Sequence, residues 1–264
     1  MFGKLMKAEW RASRRVIGAL CAVVLISGAL LGLLGNVLLR ESSGSWQLPD
    51  FVNVLFSLLS MTAVLAVTLS LAASVFYALW RYYRSRFTEE GYLTYTLPVN
   101  NHQLMLSSIL ASVLEMLLVA LAAMAAVAMA FGIFAAGLPW NEVDSTSWGL
   151  LWSRWGELLD SLRPAASDVM LVLLNMALMG LATLLTLMLA VTIGATAAKK
   201  HPILLAIAVY YGLSLVRMVA CLNAADACTS SGATLAALAG VNAAAVLIAY
   251  FWMYYLTSRR LNLS

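Results

Sequence analysis

The sequence predicts an all-α membrane protein whose helices cross a bilayer six times. Of its 264 residues, 63% are hydrophobic and 11% are charged, a balance far from that of a soluble domain. The apolar residues form long continuous runs, whereas transmembrane β-strands would alternate over about 10 residues. Because a helix needs roughly 20 apolar residues to cross the hydrocarbon layer, each run is long enough for one span.

Six such runs divide the chain, and none carries more than one ionised side chain. The predicted spans cover approximately residues 16–39, 51–80, 103–136, 169–198, 202–220 and 233–257 of a single transmembrane domain, residues 1–264. All five prolines lie at or between span ends, where a missing N–H is harmless. Proline therefore gives no sign of the broken helices that bind ions in many secondary transporters.

The segment before the first span, residues 1–15, is predicted to form an amphipathic interfacial helix. Its large apolar side chains fall near one helical face, and its five cations cover the rest. Such a helix can lie on the membrane with its cations toward acidic head groups. A basic tail without fixed structure, which would only set the topology, is the alternative.

Lysine and arginine are concentrated in alternate connections. Twelve of the 16 lie in the N-terminal segment, after the second span, after the fourth span and in the C-terminal segment. Acidic residues show the opposite trend. Because cytoplasmic connections carry the excess of cations, both termini and the connection after the second span are predicted to be cytoplasmic.

A second interfacial helix is predicted on the external side, between the third and fourth spans. Within residues 137–167, three tryptophans and four leucines recur at helical spacing before Pro164 ends the segment. Tryptophan favours the boundary between water and lipid. A lid over the outer mouth of a pathway and a lipid-anchored spacer both fit this pattern.

No catalytic or metal-binding set is recognisable. The motifs G-x-x-x-x-G-K-[ST], G-x-S-x-G and H-E-x-x-H are absent, so the sequence offers no nucleotide cradle, nucleophile elbow or zinc site of these kinds. The two histidines, His102 and His201, lie in separate connections without ligand spacing to a cysteine. We therefore expect no catalytic residue, no metal and no cofactor on this chain.

Three positions inside the spans are candidates for a substrate path or a subunit interface. Glu115 lies about 12 residues into its run, near mid-membrane, where a carboxylate costs several kcal/mol unless it is paired, protonated or hydrated. A structural hydrogen bond to Asn175, Asn242 or a hydroxyl is the alternative. Gly28 and Gly32 match G-x-x-x-G, which lets helices approach closely.

Polar residues of the fifth span and the following connection also have predicted partners. Arg217 is placed near the outer end of the fifth span, where Asp168 or Asp226 could pair with it. Cys221 and Cys228 are placed in the last external connection. A disulfide between them would require an oxidising exterior.

The connection after the second span has the most ordered composition. It reads RSRFTEEGYLTYTLPVNNHQLML over residues 84–106. Pro98 disfavours a helical conformation at Leu97, and Asn100 or Asn101 can cap the next helix. Short amphipathic pieces with tyrosine, leucine and acids suit a docking surface for a soluble partner. An ordinary interfacial loop is the alternative.

The stretch FTEEGYLTYTLPVNNHQL, placed after the second of six spans, resembles the cytoplasmic loop of bacterial ATP-binding-cassette (ABC) transporter permeases of the type-2, exporter class. In that class EGYLT-x-TLP recurs before the third span. The six spans, the basic N-terminal helix and the cytoplasmic termini resemble it too. The short polar connection before the sixth span departs from the helical hairpin found there in much of the family.

The resemblance implies a multi-pass permease subunit of the bacterial cytoplasmic membrane that has no ATPase site of its own. Two permease chains, identical or homologous, would sit on cytoplasmic ATPase subunits that bind the ATP and Mg. The residues that match the ATPase-docking stretch are Glu89, Glu90, Gly91, Tyr92, Leu93, Thr94, Leu97 and Pro98. The implied task is export of a hydrophobic or amphipathic compound, such as a peptide antibiotic, a lipid or a drug.

Other classes fit the sequence less well. A secondary transporter or a vitamin-uptake membrane subunit would be expected to carry ion-binding acids and broken helices in its spans, and both are sparse here. A membrane-embedded enzyme would need a catalytic set. A signalling protein that uses the same ATPase contact without moving a substrate is a further alternative. No nucleic-acid partner is expected.

Overall fold

A computed structural model describes residues 2–42, 49–88, 100–136, 153, 156–157, 166–197 and 200–260. Within these ranges the regular structure is entirely α-helical. The six long helices are α1 (Phe2–Ser42), α2 (Asp50–Phe87), α3 (Asn101–Ala136), α4 (Ala166–Ala197), α5 (Pro202–Asp226) and α6 (Ser231–Arg260).

All six helices are long and apolar enough to cross a membrane. Even the shortest, α5, has 25 residues and is therefore about 38 Å long, more than the roughly 30 Å of the hydrocarbon core. Each helix also exposes large apolar side chains along its length, a surface suited to lipid. The predicted all-α, multi-pass fold is confirmed.

The first helix begins well before the apolar run of the first span. Residues 2–42 form one continuous helix, so the segment predicted as an interfacial helix runs directly into the first span. The sequence around residues 10–20 has no proline to interrupt it. Its one capping-type side chain, Ser13, instead bonds back to the carbonyls of Glu9 and Trp10, at 3.3 Å each. The helix therefore has no reason to end there.

The fifth helix is longer than predicted. It starts with a proline in its first turn, where the missing N–H has no partner to lose, and it continues to Asp226 rather than to residue 220. The connection to α6 is therefore only residues 227–230. Cys221 lies inside α5 and not in that connection, which is a correction to the prediction. Both Cys221 and Cys228 are free thiols.

The chain folds as two compact units. Unit 1 comprises Met1–Ala78 and Leu110–Ser147, and unit 2 comprises Leu79–Ile109 and Trp148–Ser264. Two helices are divided between the units. The last turns of α2 and the first turns of α3 belong to unit 2, and the remainder of both helices belongs to unit 1.

In unit 1, α1 packs against α3 through glycines. A Cβ on Gly28 would lie 2.6 Å from the Cβ of Ala126 and 2.7 Å from its carbonyl oxygen. A Cβ on Gly32 would lie 2.8 Å from the carbonyl oxygen of Ala130. The close helix approach predicted from G-x-x-x-G is therefore present. Its partner within the chain is α3, and a role of Gly28 and Gly32 in a substrate path or subunit interface stays a prediction.

In unit 2, α4 packs on both α5 and α6. At Gly194 of α4, a Cβ would lie 2.5 Å from the carbonyl oxygen of Pro202, so α4 and α5 approach closely next to their connection. Between α4 and α6, the side-chain amide of Asn242 donates a hydrogen bond to Asn175 Oδ1 at 2.9 Å. The two asparagines predicted as partners of Glu115 thus bond to each other.

Candidate functional site

The predicted docking residues belong to the connection between α2 and α3. Glu89, Glu90, Gly91, Tyr92, Leu93, Thr94, Leu97 and Pro98 lie outside the described residues. Most of the predicted external interfacial helix also lies outside them, although residues 153, 156 and 157 are helical. The structure does describe the two helix ends that flank this connection, the end of α2 and the start of α3. We call residues 88–100 the docking connection after its predicted role.

These two helix ends carry a group of polar and aromatic side chains within unit 2, which we call the stem cluster. Its members are Tyr82, Arg86, His102, Leu104, Ser108, Thr192, Tyr250 and Tyr254. They come from α2, α3, α4 and α6. The cluster therefore joins both sides of the docking connection to the helices of unit 2.

Arg86 ties the end of α2 to the start of α3. Its side chain is only 4% exposed, and its Nη2 donates to the carbonyl oxygen of Leu104 and to Ser108 Oγ, the latter at 3.1 Å. The guanidinium carbon also lies 6.0 Å from the centre of the Tyr82 ring. Hydrogen bonds from charged donors contribute about 1.5–3 kcal/mol each. We call the end of α2 and the start of α3 the two stems. The Arg86 side chain thus holds the two stems at a fixed spacing.

Tyr82 links the same end of α2 to α4. Its hydroxyl lies 3.0 Å from Thr192 Oγ1, and both side chains are buried. The hydroxyl hydrogen of Thr192 is directed to the carbonyl of Met188 at 2.8 Å, so the tyrosine is the donor in the bond between them. A buried donor without its acceptor would cost about 1–3 kcal/mol, which favours keeping the two helices in this register.

His102 links the start of α3 to α6. Its ring stacks on Tyr254, with centroids 3.8 Å apart and planes 13° from parallel. Its Nδ1 lies 3.1 Å from the hydroxyl of Tyr250. Aromatic pairs add about 0.5–1.5 kcal/mol beyond the area they bury. With Arg86 and Tyr82, this contact ties the two ends of the docking connection to each other, to α4 and to α6.

In the sequence, Arg86 counted only as one of the cations after the second span, and neither Tyr82 nor Thr192 had a predicted role. Arg84 is exposed, whereas Arg86 two residues later is buried. The available signal was the spacing of Tyr82 and Arg86, because residues four apart share a helical face. That spacing alone does not tell whether the face is turned to protein or to solvent.

Glu115 lies on the buried face of α3 in unit 1 and is 1% exposed. It is 14 residues from the start of the helix at Asn101, which is about 21 Å along the axis. Ser112 is one turn earlier and equally buried, and Val119 is one turn later and fully buried. The carboxyl group is therefore part of the packed face of α3, and its role in a substrate path or subunit interface stays a prediction.

Replacing Glu115 by glutamine is expected to leave the thermal stability of the protein nearly unchanged, because the amide has almost the same shape and keeps one hydrogen-bond acceptor. Glu115→Ala should destabilise by about 2–4 kcal/mol through the cavity and the lost polar contact. Thermal unfolding in detergent, followed by size-exclusion chromatography, measures both. Leu117→Ala, two residues later on the same helix and 53% exposed, is the matched control. A glutamine variant as unstable as the alanine variant would show that the ionised form itself matters.

Arg217 is deeper in its helix than predicted. Since α5 continues to Asp226, Arg217 lies about 14 Å from the helix end, and Asp226 is too far along the axis to pair with it. Its Nη2 instead donates to Thr183 Oγ1 on α4 at 3.1 Å. The predicted pair with Asp168 or Asp226 is not formed.

The described part of the chain contains no group of three His, Cys, Asp or Glu side chains that could hold a metal ion.

Fold and site together define a multi-pass, all-α membrane protein in which the two ends of one polar connection are tied to each other and to two further spanning helices. Comparison with protein-family models, with curated proteins and with solved structures finds no match to this chain.

Proposed function

We propose that this chain is the membrane-spanning permease subunit of an ATP-driven ABC exporter that works with a separate ATPase subunit. The observation that carries the proposal is the stem cluster. Residues 89–98 resemble an ATPase-docking loop, and the helix ends on both sides of them are tied to each other through Arg86. A connection that only joins two spans would not need a buried arginine and tyrosine at one end and a stacked histidine at the other.

The stem cluster offers a route for mechanical coupling. Closure of the ATPases on ATP would displace the docking connection, and the stems would pass the displacement on because they are held by directional contacts. Tyr82 would carry it to α4, and His102 would carry it to α6. Movement of packed helices as rigid bodies is a common way to switch between two states of a binding pathway.

The proposed assembly follows the charge distribution and the resemblance. The termini and the docking connection would face the bacterial cytoplasm, because 12 of the 16 cations lie in the corresponding segments. A second permease chain, identical or homologous, would complete the pathway, and ATP and Mg would bind on the ATPase subunits. The exported compound would be hydrophobic or amphipathic, in keeping with helices that expose apolar surface along their whole length.

The proposal predicts that an ATPase subunit copurifies with the tagged chain from its native membranes and is lost when the docking connection carries Leu93→Asp and Tyr95→Asp. Two buried or partly buried carboxylates at an interface would each cost several kcal/mol unless paired, enough to release a partner of ordinary affinity. Mass spectrometry of the eluate measures the ratio of ATPase to permease.

Leu93→Ile with Tyr95→Phe is the matched control, because it keeps the size and apolar character of both side chains. Full retention of the ATPase by the aspartate variant would remove the docking role of this connection. Absence of any ATPase from the unmodified chain in several mild detergents would overturn the exporter proposal. Ion-driven transport would then be the alternative, and Glu115 the residue to test.

A further inference from the structure

A second polar site lies between α4 and α5 in unit 2. The Arg217 guanidinium donates through Nη2 to Thr183 Oγ1 at 3.1 Å. Thr183 in turn directs its own hydrogen to the carbonyl of Met179 at 2.8 Å. The hydroxyl oxygen thus serves Arg217 as an acceptor only, and it is a neutral one.

Two further polar atoms of this site are buried and make no hydrogen bond with any described residue. They are Nη1 of Arg217 and the hydroxyl oxygen of Ser214. Ser214 and Arg217 are three residues apart and therefore share one face of α5. The site thus presents an arginine N–H group and a serine hydroxyl on one face of α5, both buried and without a hydrogen-bond partner among the described residues.

The charge of Arg217 is uncompensated within the described part of the chain. None of the carboxylates described there forms an ion pair with it, and its hydrogen bond goes to a neutral oxygen. An arginine at the centre of a membrane helix costs about 2.5–3.5 kcal/mol or more, and a cation in such surroundings favours an anion in bidentate contact with its planar donors. The missing member of the site is consequently an anionic group.

Nη1 of Arg217 and the Ser214 hydroxyl are themselves buried, so an anion has to reach them across the outer surface of α5 as the Arg217 side chain turns toward that surface. Arg217 and Ser214 are half-buried rather than enclosed, no residue of α5 is fully buried, and Val216 beside the site is 69% exposed. An anion reaching Arg217 by this route has to enter through an apolar surface. A small inorganic anion is poorly suited to that route, whereas an amphipathic anion can leave its tail on α5.

We propose that Arg217, Ser214 and Thr183 form a binding site for the anionic head group of an amphipathic compound, a carboxylate or phosphate whose tail lies along the apolar surface of α5. The guanidinium supplies the charge and two donors, and the Ser214 hydroxyl supplies a third. This rests on the proposed function in one respect: in an exporter of amphipathic compounds, the anion would be the cargo or a lipid that accompanies it.

The test is equilibrium binding to the full chain in nanodiscs of zwitterionic lipid, without an ATPase. A pyrene-labelled fatty acid and pyrene-labelled phosphatidylglycerol are the two anionic probes, and pyrene-labelled phosphatidylcholine is the neutral reference. Energy transfer from the tryptophans of the protein to pyrene reports binding. We expect Arg217→Gln to weaken binding of at least one anionic probe about tenfold, the effect of losing a charge-assisted hydrogen bond, and to leave the neutral probe unchanged.

Lys200→Gln is the matched control, because it removes one exposed cation at the other end of α5 and should leave all three probes unchanged. Loss of the fatty-acid signal in Arg217→Gln identifies a free amphiphile as the ligand, and loss of the phosphatidylglycerol signal identifies a membrane lipid. Either supports the site. Equal binding by unmodified and Arg217→Gln protein, or an equal loss for the neutral probe, overturns it.

Two milder variants keep the inference testable if Arg217→Gln does not fold. Arg217→Lys retains the charge and should keep most of the anion binding, whereas Ser214→Ala should weaken it a few-fold because one donor is lost. The site would be excluded if Ser214→Ala, Arg217→Lys and Arg217→Met all bound the anionic probes as well as the unmodified protein does. Because no ATPase takes part, a failure here leaves the exporter proposal standing, and failure of the copurification test leaves this site standing.

Discussion

Replacing Arg86 by leucine is expected to lower the stability of the protein by about 2–4 kcal/mol and to uncouple the docking connection from the helices. The side chain is buried and donates to Leu104 and Ser108, and each hydrogen bond from a charged donor contributes about 1.5–3 kcal/mol. Thermal unfolding in detergent measures the first effect. If the exporter proposal holds, the complex should still bind its ATPase while substrate no longer stimulates ATP hydrolysis.

Arg84→Leu provides the control for this experiment. It removes the same charge from the same last turn of α2, but the side chain is exposed, and exposed charged groups contribute little to stability. Arg86→Lys separates charge from geometry, because it keeps the charge but places the donor nitrogen at the end of a side chain of different shape, and it should recover only part of the loss. Equal unfolding temperatures for Arg84→Leu and Arg86→Leu would show that Arg86 does not hold the stems together.

Substituting Gly28 by leucine is expected to prevent α1 from packing on α3 and to abolish accumulation of folded protein. A Cβ alone would lie 2.6–2.8 Å from Ala126, and two of the atoms it meets are backbone atoms, which cannot swing aside as a side chain can. Overpacking in well-packed regions costs about 1–3 kcal/mol for one or two extra carbons. Gly28→Ala should therefore be destabilising even though alanine favours helix, and leucine should be worse.

Gly18→Ala is the matched control on the same helix, because a Cβ there meets nothing within 4 Å. It should be neutral or stabilising by up to about 1 kcal/mol, the difference in helix propensity between glycine and alanine. Measuring the fraction of monodisperse protein after heating compares the two variants directly. A Gly28→Ala protein as stable as Gly18→Ala would mean that α1 and α3 do not approach as closely as the structure has them.

The two glycine variants and the arginine variants act in different units. Gly28 contributes to the packing of unit 1, and Arg86 contributes to the stem cluster of unit 2. Gly28 and Arg86 contact different residues, and effects of sites that share no partner usually add, so a double variant Gly28→Ala with Arg86→Lys should lose the sum of the two single losses.

Much of the fold could be predicted from the sequence because spanning a membrane depends on the length and polarity of each helix by itself. Transfer of an apolar run into hydrocarbon needs no partner, so the six spans and the absence of β-structure in the described residues followed from composition and run length. Helix ends were less predictable. The amphipathic ends of α1, α2 and α5 continue past the apolar run, where hydropathy gives no signal.

Which faces of the helices touch was decided only by the tertiary structure. In water a buried face is marked by its hydrophobicity, but in lipid the packed face and the exposed face are equally apolar. For that reason the sequence could suggest close packing at Gly28 without naming α3 as its partner, and it could not separate buried Arg86 from exposed Arg84. The hydrogen bond of Arg217 to Thr183 likewise joins two helices through residues that are 34 positions apart in the chain. Composition and run length alone determined that this is a membrane-spanning protein. The folded structure was needed to identify the partners of the polar side chains between neighbouring helices. The free energy of each buried polar group depends on the atoms that it faces.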